Sequence, residues 1–287
     1  MSAKIRIGAV SYLNTRPLVF GLEQGLAEER FELSYSVPGV LTDRMLAGEL
    51  DIALMPVIEL AKAPELEIVP GLAIGTSGPS RSVLLISRKS IEEVTSIALD
   101  RESRTSNALV QVLCRRVWKI EPEFRSGHGG LDEALIDCDG IVQIGDKALF
   151  AEPPHDTVVY DLGGVWTAST GMPFVFAAWF CRPGVLDREI YEALHESRRR
   201  GAKMLGPIAE DYTWHGRQYP QLSRDYLEKN IRFRLGNAEL EAMRAFFDAA
   251  AEVGLIPAAP EPKLALTRWT QCHETAANAG GAQHAEF

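Results

Sequence analysis

The chain has only four cysteines in 287 residues, and Cys114, Cys138, Cys181 and Cys272 lie far apart with no C-x-x-C pair. That spacing removes the usual zinc and dithiol signals and favours free or buried thiols in a reducing compartment over a disulfide framework. The six histidines show no H-E-x-x-H spacing, the one H-x-E falls at His284–Glu286 in the tail, and no G-x-S-x-G, G-x-G-x-x-G or Walker loop is present. Metal, serine-hydrolase and nucleotide chemistry therefore lack their sequence signals, and no cofactor is expected. No apolar stretch is long enough to span a bilayer, and the N-terminus passes into strand-like alternation without an apolar signal core. A cytoplasmic protein is expected, with no membrane association. Positive charge is also in deficit: 30 Lys and Arg face 39 Asp and Glu, for a net charge of -9. Such a balance argues against a nucleic-acid partner or an anionic membrane surface. The single basic run, Arg198 to Arg200, falls in a helical stretch and reads as a solvated face.

What is present is globular: 46% of residues are hydrophobic and 24% charged, enough for a well-buried core in one large domain or two lobes. The first third alternates β-rich runs (Lys4–Val10, Glu32–Val37, Asp51–Leu54) with amphipathic stretches, including one expected after Leu54, which is βαβ rhythm. The runs Ser82–Ser87 and Phe174–Cys181 bracket a middle segment with its own strands near 96–99, 140–144 and 157–162. An α/β chain of two lobes is expected, the first made of residues 1–87 and 176–270 and the second, residues 88–175, inserted into it. The last third reads as helical over 188–205, 223–229 and 237–252 and is expected to pack on the first lobe. The Ala-, Gly-, Gln- and His-rich residues 271–287 read as a disordered tail.

Three strand-to-helix corners concentrate short polar residues where open α/β folds place ligands. In Val10–Leu18, Asn14, Thr15 and Arg16 stand beside the free N–H groups of a helix start, which suits a carboxylate, although capping by Asn14 or Thr15 fits equally. In Asp100–Ala108, Thr105, Ser106 and Asn107 are more than a single cap requires, pointing to a second anion site across a cleft. Gly145 and Asp146 form the third corner, where Asp146 either joins the cleft or pairs with Lys147. The turn Gly78–Val83 adds Ser80, Arg81 and Ser82, as ligand contacts or as an ordinary turn. Trp166, Thr170 and Gly171–Phe174 read as core or hinge packing. His128, in a glycine-rich loop, reads as an exposed side chain or a mobile catalytic residue.

Taken together, the stretches from Val10 to Leu18, Pro38 to Pro56, Gly78 to Val83, Asp100 to Leu109, Gln143 to Leu149 and Tyr160 to Trp179 resemble the chorismate dehydratase family. The match runs in order through about residue 180 and weakens in the C-terminal helices. Met172, where that family more often has leucine, is a volume-conserving change. The resemblance implies a two-lobed type II periplasmic-binding-protein-like fold with an interlobe cleft. It also implies a hydro-lyase that converts chorismate to 3-[(1-carboxyvinyl)oxy]benzoate and water in menaquinone biosynthesis by the futalosine route. By similarity Asn14 and Ser82 act at the reacting centre and Thr105, Ser106 and Asn107 line the opposite lobe; from the corners and the turn themselves, Arg16, Ser80, Arg81, Gly145 and Asp146 are further substrate-binding candidates. The base is either the substrate's enolpyruvyl carboxylate or Asp146. A non-catalytic binding protein for a small anionic solute is the alternative, and nothing in the sequence sets the oligomeric state.

Overall fold

A computed structural model describes residues 4–127 and 130–265. His128, Cys272 and the tail 271–287 lie outside the described residues. The N-terminal alternation folds as β1 (Ile5–Val10), α1 (Arg16–Glu23), β2 (Phe31–Ser36), α2 (Pro38–Leu46) and β3 (Ile52–Pro56). Pro17 and Pro38 stand in the first turns of their helices, where a missing N–H leaves no broken bond. The helix expected after β3 is replaced by a 3-10 turn, Val57–Ala61, and a ten-residue strand β4 (Glu67–Thr76). Pro56 and Pro64 bracket that turn and keep it short, while Pro70 and Gly71 inside β4 conceal a strand from pattern reading.

The middle of the chain forms β5 (Val83–Ser87), β6 (Ser96–Leu99), α3 (Arg104–Leu113), β7 (Glu123–Ser126), α4 (Leu131–Asp137), β8 (Gly140–Ile144), α5 (Gly145–Leu149), β9 (Val158–Asp161) and α6 (Leu162–Thr170). It returns through β10 (Phe174–Cys181) to α7 (Arg188–Ala202), α8 (Leu205–Asp211), the short hairpin β11 (Thr213–Trp214) and β12 (Arg217–Gln218), α9 (Pro220–Asp225), β13 (Arg232–Leu235) and α10 (Asn237–Glu252). The helix expected over 188–205 thus breaks after Ala202, and three short strands interrupt a region that reads as wholly helical.

One sheet has the order β13-β4-β10-β3-β1-β2 and the other β7-β6-β8-β5-β9. In the first, β1 runs parallel to β2 and β3, and β10 runs antiparallel to β3 and β4. In the second, β6 is parallel to β7 and β8, and β5 is antiparallel to β8 and β9. Residues 83–87, expected with the first lobe, are a central strand of the second sheet. The chain therefore leaves the first sheet after Thr76 and re-enters it at Phe174. All five residues of β5 are buried, so their apolar run announced a central strand without saying to which sheet it belonged.

The C-terminal elements close on the first sheet: β13 pairs with the outer edge of β4, and Phe246 and Phe247 of α10 are buried. Trp166 packs edge-on against Phe174 and Phe246, with ring centroids 5.4 and 6.0 Å apart, and its Nε1 donates to the Pro173 carbonyl at 3.0 Å. Trp166 and Phe174 are thus core packing, whereas Thr170 and Gly171 between them are exposed. A Cβ on Gly201 in α7 would lie 2.0 Å from the Pro17 carbonyl oxygen, so glycine lets α7 pack directly on the start of α1 and fixes that helix end. Cys114, Cys138 and Cys181 are free and buried, and burial pushes the Cys114 and Cys181 thiols up to about 12. Among the described residues, no helix is long and apolar enough to cross a membrane.

Candidate functional site

Where the carboxyl ends of β1, β3 and β8 approach the start of α3, a small pocket of about 60 Å³ opens. Its polar lining comes from Tyr12, Asn14, Ser82, Ser103, Ser106 and Gly145, and its apolar walls include Pro38, Pro56, Ile74, Ile144, Phe176 and Ile231. Among the described residues, no Asp, Glu, Lys, Arg or His side chain lines it. The lining offers neutral donors and a helix start in a largely apolar setting, where each hydrogen bond is strengthened.

Asn14 and Ser82 come from different stretches of chain and meet at a third residue. Asn14 Nδ2 donates to the Tyr226 hydroxyl at 3.0 Å, and Ser82 Oγ lies 2.8 Å from the same hydroxyl. Tyr226 is 1% exposed, and burial holds its phenol well above the ordinary range, so it stays protonated. It opens a π-helical turn, Tyr226–Asn230, which ends beside the pocket-lining Ile231.

Across the pocket, α3 begins with Ser103 as its cap. Ser103 Oγ accepts from Ser106 N at 3.2 Å and donates to Ser106 Oγ at 2.8 Å. The cap leaves the first amides of the helix, at Arg104 and Thr105, without intrahelical partners. Two contacts tie the facing sides together. The Tyr12 hydroxyl donates to Glu102 at 2.7 Å, and Glu102 pairs with Lys147 at 3.0 Å. Gly145 has φ +62°, and a Cβ there would fall 2.7–2.9 Å from the Tyr12 ring, so only glycine lets that ring close over the corner. Its N–H donates to the Ser82 carbonyl at 2.8 Å, linking two lining residues through the backbone.

Of the residues predicted from sequence, Asn14, Ser82, Ser106 and Gly145 line the pocket; the others are occupied elsewhere. Ser80 N and Oγ donate to Asp161 at 2.9 and 3.2 Å, and Arg81 N does so at 2.6 Å. The turn is thus held by the carboxylate that caps α6. Arg81 is exposed, with φ +62°. Arg16 pairs with Glu23 and lies over the rings of Tyr35 and Tyr212, at 5.7 and 5.9 Å. Thr105 Oγ1 accepts from Ile58 N at 3.3 Å. Asn107 is held by the backbone of Asp100, accepting at 3.0 Å and donating at 2.6 Å.

Asp146 is 2% exposed, yet neither carboxylate oxygen faces the pocket unengaged: one accepts from Leu13 N at 3.1 Å and the other from the Tyr212 hydroxyl. Burial holds this carboxyl above the usual carboxylate range, against the pull of those two donors. Tyr226, Tyr12, Ser103 and Glu102 are the participants that sequence reasoning missed. Ser103 carried the one available signal, the cap position before an apolar periodic run. Among the described residues, no group of three His, Cys, Asp or Glu is placed to hold a metal ion.

A family model for menaquinone biosynthesis matches residues 5–252. Chorismate dehydratase from Thermus thermophilus is 30% identical over 261 residues, covering 85% of this chain and 94% of the relative. The Campylobacter jejuni chorismate dehydratase is 26% identical over 254 residues, covering 86% and 98%. Among solved structures, a protein from Archaeoglobus fulgidus superposes with a TM-score of 0.68 at 14% identity, covering 88% of this chain and 98% of that one. The periplasmic aliphatic sulphonate-binding protein of Escherichia coli gives 0.59 at 15% identity, covering 93% and 95%. These two likenesses establish the architecture, a mixed α/β fold of the periplasmic-binding-protein type.

Proposed function

Because the chain belongs to the menaquinone-biosynthesis family, together with the curated chorismate dehydratases it resembles along most of its length, we propose that it dehydrates chorismate. The products are 3-[(1-carboxyvinyl)oxy]benzoate and water, which makes the chain a hydro-lyase, acting in the cytoplasm on the futalosine route. The observation that carries the mechanism is a pocket whose polar lining is entirely uncharged and whose donors converge from two sides.

Chorismate's proton at C3 is acidified through the ring double bond that joins it to the ring carboxylate. Removing it spreads negative charge onto that carboxylate, which must be held in place. The uncapped amides at the start of α3 and the hydroxyls of Ser103 and Ser106 suit that role, because they are fixed before the charge develops. With no carboxylate in the lining, the substrate's own enolpyruvyl carboxylate takes the C3 proton. The electron pair left on the ring expels the C4 hydroxyl, the ring becomes aromatic, and the departing hydroxide combines with the abstracted proton as water. Asn14 orients a carboxylate and Ser82 hydrogen-bonds the hydroxyl as it leaves.

The experiment compares chorismate with an analogue whose enolpyruvyl carboxylate is an amide. Turnover of chorismate alone, with the analogue bound but intact, supports substrate assistance. Dehydration of both transfers the base to the protein, with Asp146 the candidate.

A further inference from the structure

Tyr226 has two hydrogen-bond partners among the described residues, Asn14 and Ser82. A phenol has one proton and accepts through its oxygen. The Asn14 amide is a donor in this contact, so it occupies the accepting side of Tyr226. If Ser82 also donated to Tyr226, the phenol proton of a side chain only 1% exposed would be left with no acceptor among the described residues, which is costly. Either direction leaves one spare proton, and only one places it on the residue that lines the pocket: Asn14 to Tyr226, and Tyr226 to Ser82.

We propose that Tyr226 is a positioning residue for the dehydration, donating to Ser82 Oγ so that the Ser82 proton is directed into the pocket. This rests on the proposed function above. Two features of the molecule support it. Ser82 is 2% exposed yet lines the pocket, so its freed O–H has the pocket as its outlet. Tyr226 also opens a π-helical turn, a local distortion often found at functional sites, and it is this turn that places a residue from the C-terminal third between Asn14 and Ser82. Without Tyr226, Ser82 Oγ is free to rotate and its proton has no fixed direction; with it, the donor is aimed before substrate arrives.

The test is a double-mutant cycle on chorismate turnover. Tyr226→Phe keeps the buried ring and removes the hydroxyl that Asn14 and Ser82 share. It should lower kcat by about tenfold or more while leaving KM within about threefold, a smaller loss than the roughly 10²–10³ expected for a directly acting donor. In the Ser82→Ala background the same change should lower kcat much less, because no hydroxyl is left to aim and only the Asn14 contact is lost. An equal loss in both backgrounds, or a wild-type kcat in Tyr226→Phe, overturns the proposal. Neutron diffraction from the deuterated wild-type protein decides the hydrogen-bond direction even if the variant fails to fold. Deuterium on the Tyr226 oxygen pointing to Ser82 supports the relay, and deuterium on Ser82 pointing to Tyr226 refutes it. Wild-type protein that leaves chorismate unchanged refutes the enzymatic reading alone, since the neutron result still decides the relay.

Discussion

Gly145→Ala tests the account of the pocket corner most severely, because the damage follows from two separate quantities. The residue sits at φ +62°, and an added Cβ would come within 2.7, 2.8 and 2.9 Å of three atoms of the Tyr12 ring. The left-handed backbone costs an L-residue about 1–2 kcal/mol, and overpacking a closed site a further 1–3 kcal/mol or so. The ring cannot simply swing away, since its hydroxyl is held by Glu102 at 2.7 Å. The expected loss is therefore about 2–5 kcal/mol, read by urea unfolding, with a fall in Tm of at least about 4 °C. KM for chorismate should rise as well, because Tyr12 and the Gly145 amide both border the pocket. Tyr12→Leu separates the two causes: in that background Gly145→Ala should cost only the backbone share, about 1–2 kcal/mol. An equal cost in both backgrounds, or wild-type stability in Gly145→Ala, refutes the contact argument.

Ser82→Ala should lower kcat by roughly 10²–10³ with a much smaller change in KM, whereas Asn14→Ala should impair both, and steady-state kinetics on folded variants distinguishes the two. Turnover should survive exhaustive chelation and dialysis; loss that a metal ion restores contradicts the cofactor-free chemistry. Asp51 receives two hydrogen bonds from the Arg6 side chain, each 2.9 Å, and pairs with Arg182. Chiefly through the Arg6 hydrogen bonds, its folded carboxyl is held well below the usual range. Its contribution is therefore fully present above the unfolded value of about 3.9 and is lost as pH falls through the folded one. Asp51→Asn should destabilise the protein by about 1–3 kcal/mol at neutral pH, and the difference should shrink in acid melts. An undiminished gap in acid counts against the pairing.

The alternation of β1, β2 and β3 with α1 and α2 was legible because period-2 and period-3.6 patterns follow one another with proline at the helix starts. Strand β4 was not, because Pro70 and Gly71 contradict local strand preference and only pairing on both sides, with β10 and β13, sustains it. At the site, Asn14, Ser82, Ser106 and Gly145 were legible from corner chemistry and family resemblance. Ser80, Thr105 and Asn107 carried the same chemistry but satisfy Asp161, Ile58 and Asp100 instead, and sequence does not say which way a hydroxyl or amide points. Tyr226 was hidden for a different reason. In a helical stretch beside Leu227 it reads as a core aromatic, and its partners are 212 and 144 residues away. A contact of that separation has no local signature.

The most direct measurement is to incubate the purified wild-type chain with chorismate and follow the ring protons by NMR with product mass in parallel. The account predicts stoichiometric conversion to an aromatic dicarboxylate lighter than chorismate by one water, without added metal or cofactor. Chorismate that is bound tightly but recovered unchanged would contradict it and leave a binding protein for a small anion in its place.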